Sequence, residues 1–363
     1  MAFLTGLILI DAPASALNNA GRAEEARTEN AMAVKYIRTR QGAFPYVSAQ
    51  AFRYWIRETL EKSAELSWKA APVRKESENL AYSDGNPIEY WDDDLLGYMR
   101  APGDQEGRNW ATPVSPAQKG KKPVITRVSP FRVSTLVSLA PVLITDDFGS
   151  MTRHEGDPVL HQHEFYRAIL KGLISLNLKA AGTFSYANRT GFRNLDQNRT
   201  EIAKENKLEH LGDEKSYRLS WEQRIERITA LLRALGIIYG GAKQALHYTD
   251  VTPAVFIAMV TRGGNNPLHY ILGPGDKGQP QVHPEAAQQA FKVWKDQILS
   301  KLYVGWVQGF YDDECVRLET VLSDFNKERK DDERLETVLG HPREVLEHLA
   351  KDISEKKNEA WLR

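Results

Sequence analysis

Lys35, Arg38, Arg40, Arg53 and Arg57 all fall within residues 30–57, a stretch without a single Asp or Glu. Tyr36, Phe44, Tyr46, Phe52, Tyr54 and Trp55 are interleaved with those cations. Cations that neutralise phosphates, set among rings that stack on bases, make a surface for single-stranded nucleic acid. Other chemistry is thin. There is no GxSxG, no HExxH and no paired-carboxylate motif. GGAKQ at 240–244 sets glycine beside Lys243, but no Ser or Thr follows the lysine, so it is not a Walker phosphate loop. His161 and His163 would share one face of a strand, with His154 and Glu164 nearby. That spacing matches no common metal site, so these histidines read as structural and no metal or cofactor is expected. The lone Cys315 rules out an internal disulfide and has no catalytic context.

Local elements must hold the cationic stretch in place. Residues 34–39 alternate as a strand does; Gly42 and Pro45 break it, and Ser48 is a suitable N-cap for a helix over 49–63. In that helix Phe52, Trp55, Ile56, Thr59 and Leu60 share a face that should be buried. Arg53, Arg57 and Glu61 line another face, with Arg57 and Glu61 spaced as a solvated pair. Residues 3–11 are apolar on both faces, as in a central strand. The following Ala14-Ser15-Ala16 superficially resembles a signal-peptide cleavage site, but no Lys or Arg precedes the run, so a buried strand is expected.

Further on, residues 161–186 read as two strands or one long bent one, and 188–216 as a polar protruding loop or hairpin. An amphipathic helix is predicted over 221–239, ended by Gly240 and Gly241. A buried strand follows at 254–261, then helices at 284–299 and 341–354. Strand, helix, strands, helix, strand is the order of a ferredoxin-like or RNA-recognition-motif core, here interrupted by long insertions.

The 363 residues balance 48 Lys and Arg against 48 Asp and Glu, so net charge points to no partner. The distribution is more telling. Residues 107–145 carry six cations and no acid, whereas acids dominate 76–106 and the segment from 310 onward. Such segregation predicts opposed faces that meet when copies associate. No apolar run approaches transmembrane length, and a cytoplasmic location without membrane partners is expected.

The order LILIDAP, NNAGR, TENAMAVKYIRTRQGAFPYVSAQAFRYWIRETL, HEFYRAILKGLISLNL and LLRALGIIYGGAKQALHYTD resembles the DevR-type Cas-seven family, the backbone subunit of type I-B CRISPR Cascade. The likeness covers the N-terminal third, the middle and the strip up to about Pro267. It implies an α+β fold: an RNA-recognition-motif (ferredoxin-like) palm over 1–65, 150–182 and 218–302, a large inserted fingers domain over 66–149, and a thumb hairpin over 183–217. Residues 303–363 would be a C-terminal acidic helical segment. The resemblance implies a non-catalytic subunit whose copies stack along crRNA, present it to target DNA, and contact other Cascade subunits. Its RNA-binding candidates are Asn19, Arg22, Lys35, Arg38, Gln50, Arg53, Lys243, Gln244 and Arg262, with Arg27 beside them. A thumb residue that wedges between bases would be Phe184, Phe192 or Leu195, with Tyr186 as a neighbour.

Two alternatives come from other classes. A metal-dependent RNA-cleaving relative, as in type III effectors, needs an Asp in the loop after the first strand. Here Asp11 closes the strand and the loop offers only Glu24, Glu25 and Glu29. A transcriptional regulator needs a helix-turn-helix, for which there is no signal.

Overall fold

The computed structural model describes residues 1–22, 30–77, 80–100, 124–189, 191–327, 329–330 and 334–363. Among these, a twelve-stranded, mostly antiparallel sheet is organised around the strand Ala2–Ser15. That strand lies between Val159–Asn177 and Val255–Arg262, antiparallel to both. Beyond Val255–Arg262 come Leu302–Trp306 and then Thr337–Gly340, the last pair parallel. On the other side, Val159–Asn177 is one 19-residue strand that receives Phe131–Val133, Leu136–Ser138 and Ile144–Met151 along its length. Leu136–Ser138 leads on to Gly42–Val47 and its hairpin partner Tyr36–Thr39.

Seven α-helices are described: α1 Ala49–Lys62, α2 Trp91–Leu95, α3 Gln197–Glu205, α4 Trp221–Leu235, α5 Pro284–Val293, α6 Asp312–Lys327 and α7 Pro342–Ser354. Leu4, Ile8 and Ile10 of the first strand pack on Phe52 and Ile56 of α1, Leu231 of α4 and Leu346 of α7. Leu7 and Leu9, pointing the other way, share a second core with Phe291 of α5 and Leu318 and Leu322 of α6. A strand with both faces covered must be apolar throughout, which is why residues 3–10 show no alternation. Helix α1 is capped by Ser48 and buries the five residues its periodicity predicts. Helix α4 stops earlier than expected, at Gly236. None of the described helices is long and apolar enough to cross a membrane.

Several expectations need correction. The strands of the basic stretch at 131–133 and 136–138 belong to the main sheet rather than to a separate insertion. The segment after 302 supplies two strands of that sheet as well as α6 and α7. The 188–216 region is more than a loop. It contains α3 and, with Thr183–Ser185, Glu209–Leu211 and Ser216–Arg218, a small sheet around Phe184, Leu195, Ala203 and Tyr217.

The acidic run of α2 is not a surface patch. Asp92, Asp93 and Asp94 are all buried. Asp94 pairs with Arg127 and, at 2.8 Å, with Arg227, and accepts from the Gly182 amide at 3.0 Å. Asp92 accepts from the Ala71 amide and lies 3.6 Å from Arg57, which therefore pairs here and not with Glu61. A buried carboxylate needs such partners, because desolvation without them costs several kcal/mol. Part of the acidic and basic segregation is thus neutralised inside the chain.

Candidate nucleic-acid interface

Three segments meet at the Ser15 end of the first strand. Lys35 sits between Ala31–Val34 and Tyr36–Thr39; its amide donates to the Asn18 carbonyl at 2.9 Å, and its carbonyl accepts from Tyr46 at 3.0 Å. The loop at 240–249 closes over the same end. Ala242 donates to the Leu17 carbonyl at 3.0 Å, and the Thr249 and Ser15 hydroxyls lie 2.6 Å apart. Close approach requires glycine here. Gly240 and Gly241 have φ of +155° and +104°; a Cβ on the first would lie 2.6 Å from Trp55 Cδ1, and one on the second 2.6 Å from Leu17 Cδ2. The loop thereby brings Lys243, itself at φ +57°, to the end of the sheet that carries Lys35. Both lysines are half-buried.

Around this pair, Asn19 is half-buried in the short strand Asn19–Arg22. Gln50 is exposed on the first turn of α1, four residues beyond Tyr46. Arg38 and Arg40 are exposed on the 36–47 hairpin, where Arg38 donates to the Tyr36 hydroxyl at 2.8 Å. Exposed Tyr54 and Tyr248 offer rings, whereas Phe52 and Trp55 are core residues. The Arg22 side chain and Arg27 lie outside the described residues.

Three candidates do not join this surface. The Arg53 guanidinium donates to the carbonyls of Leu96 and, at 2.9 Å, Phe131, and to the Ser129 hydroxyl at 3.2 Å. Burial, and secondarily Arg57, pushes its pKa down to about 10. Arg53 ties α1 to the 96–131 region. Gln244 bridges its own loop, donating to the Gly240 carbonyl and accepting from the Thr249 amide at 2.9 Å, so it shapes the loop from within. Arg262 pairs in register with Ala2, at the opposite end of the first strand. At about 3.3 Å per residue, that places it some 40 Å from Ser15.

Among the wedge candidates, Phe184 and Leu195 are fully buried in the small core, with Arg127 stacked 4.8 Å over the Phe184 ring. Neither can enter a base stack without dismantling that core. Phe192 is 48% exposed, beside Arg189 at 4.4 Å.

Sequence reading also missed a cluster. His163, His247 and Asp147 converge beside the Lys243 loop, with ligand atoms within 4.8 Å of one another. Burial lowers the His163 pKa, opposed by Asp147 and reinforced by His247 and Lys243. His161 and His163 were readable as a same-face pair, but nothing local linked them to Asp147 or His247. Asp11, by contrast, lies inside the first strand, which runs on to Ser15, and pairs with Arg167. Burial raises the Cys315 thiol to about 11, so it is a poor nucleophile.

A scan against protein-family models finds no match, and a search of curated proteins finds none. Among solved structures, the chain is similar to one described as "CRISPR RNA-guided surveillance complex, pre-nicking". The TM-score is 0.48 at 9% identity, covering 96% of this chain and 99% of that one. A second, "CRISPR RNA-guided surveillance complex", gives 0.43 at 9% identity with the same coverage.

Proposed function

We propose that this protein is a guide-RNA-binding backbone subunit of a type I CRISPR effector, of the DevR type that its sequence resembles. The observation that carries the reading is the convergence of Lys35, Lys243 and the Leu17–Asn19 loop at one end of the sheet. These come from the quoted segments, far apart in sequence, that the resemblance assigns to RNA. The strand order Val255–Arg262, Ala2–Ser15, Val159–Asn177 and then the 131–151 strands, with α1 and α4 on one face, supports an RNA-recognition-motif palm. Copies stack along the guide and hold it for pairing with target DNA. The subunit is a scaffold: an Asp11 held by Arg167 within a strand is badly placed to recruit a catalytic metal.

Each phosphate neutralised on a single strand releases a condensed counterion, so log K falls with log salt by about 0.7 per contact. Lys35→Ala and Lys243→Ala should each weaken single-stranded RNA binding for every sequence alike and flatten the salt slope by about that amount. Arg262→Ala, at the far end of the sheet, should leave both unchanged. Filter binding across a salt series reads all three. If neither lysine variant differs from wild type, RNA does not run over this end of the sheet.

A further inference from the structure

We propose that Asp147, His163 and His247 form a binding site for one divalent transition-metal ion of the Zn²⁺ class, which clamps the 240–249 loop to the sheet. The three residues come from the adjacent strands Ile144–Met151 and Val159–Asn177 and from the loop itself. His163 is 5% exposed, and neither of its ring nitrogens has a hydrogen-bond partner among the described residues; the same holds for buried Nε2 of His247. Buried polar atoms are rarely left unpaired, because each costs about 1–3 kcal/mol. Two unpaired imidazoles face to edge, with ring centroids 4.9 Å apart and a carboxylate beside them, share one simple solution.

The distances agree with it. His163 Nε2 and Asp147 Oδ2 are 3.2 Å apart, without hydrogen-bond geometry. Ligands about 2.1 Å from a tetrahedral ion are separated by about 3.4 Å. The remaining ligand atom, on His247, lies within 4.8 Å of the other two, so ligand spacing asks for a further approach of about 1.4 Å at most. Imidazole nitrogens with one carboxylate suit Zn²⁺, Co²⁺ or Ni²⁺ better than Mg²⁺ or Ca²⁺, which prefer all-oxygen shells. Three protein ligands leave a fourth position for water on the exposed Asp147 side. Packing fixes the rings: His161 stacks on His163, and Phe165 on His247. His247 also donates its backbone amide to the Lys243 carbonyl at 2.8 Å, so an ion at this site holds the turn that presents Lys243. That consequence rests on the RNA reading; the metal site does not.

The test is a Co²⁺ titration of chelator-treated full-length protein without RNA, followed by visible absorption, Zn²⁺ competition and thermal melting. Wild type should bind one equivalent of Co²⁺ with the intense d–d bands of a low-coordinate site, release it to Zn²⁺, and melt higher with Zn²⁺. Asp147→Asn and His247→Gln should each weaken Zn²⁺ by more than the roughly 10- to 100-fold that loss of an outer partner costs. Their melting without metal checks folding. Wild type that binds no stoichiometric ion overturns the proposal, whatever the variants do. So does binding that both folded variants retain, which would locate the ion elsewhere. If the titration succeeds but RNA binding fails, the metal site stands and the RNA reading falls.

Discussion

Arg53 and Lys35 are both cations in the same acid-free stretch, yet packing assigns them different work. Arg53 spends its donors on Leu96, Phe131 and Ser129, and removing it strands those acceptors in a half-buried seam. Arg53→Ala should therefore lower stability by about 2–3 kcal/mol and leave the RNA salt slope intact. Denaturant melts paired with filter binding check this; a fall in affinity at unchanged stability would contradict it. Asp93 offers a second residue-scale test. Burial raises its carboxyl to about 6, against hydrogen bonds from Ser83 and Asn86 that pull the other way. Between about pH 4 and 6 the folded chain binds the proton that the unfolded chain releases, so this group's contribution falls as pH rises through that window. A shift of about two units corresponds to at most about 3 kcal/mol. Asp93→Asn should remove the slope, so that its stability relative to wild type climbs from pH 4 to 6 and levels off above. Parallel curves for the two proteins would refute the assignment.

At the scale of elements, α1 and the 240–249 loop are fitted to each other through Trp55 and Gly240. The helix buries Trp55 because its apolar positions recur at helical spacing, and the loop then passes so close that Gly240 has no room for a side chain. Gly240→Ala should cost about 1–3 kcal/mol through overpacking and displace the Lys243 turn, weakening RNA binding as well. Trp55→Ala alone should cost about 3–5 kcal/mol by opening a cavity. In the double variant the alanine methyl enters space the indole vacated, so the two costs should sum to more than the measured loss. Strict additivity in a double-mutant cycle would show that the loop and helix are not in the contact described.

For the whole molecule, the C-terminal segment is structural. Leu302–Trp306 extends the main sheet beyond Val255–Arg262, and α7 packs Val345, Leu346 and Leu349 into the core that holds α1 and α4. A chain ended at residue 301 would expose a sheet edge and the apolar face of α4 together. It should lose cooperative thermal unfolding, as followed by circular dichroism; a wild-type-like transition would make the segment an appendage after all. Charge is also settled at this scale, since Arg127 from the basic stretch and Asp94 from the acidic one meet in the interior with Arg227.

The amino-acid sequence by itself determined the features that depend on neighbours a few residues away. The Ser48 cap, the buried face of α1 and the doubly apolar first strand follow from spacing, because helix and strand periods are local properties of the backbone. Only the tertiary structure decided which cations are spent internally. Arg53 and Lys35 lie in the same acid-free stretch, and the acceptors that claim Arg53 lie beyond residue 95. Likewise Arg262 is carried to the far end of the sheet by antiparallel register, and Asp147 and His247 reach His163 by strand pairing and loop closure. These outcomes depend on contacts between distant segments, and no local periodicity encodes which of the competing pairings buries the most apolar surface with its polar groups satisfied.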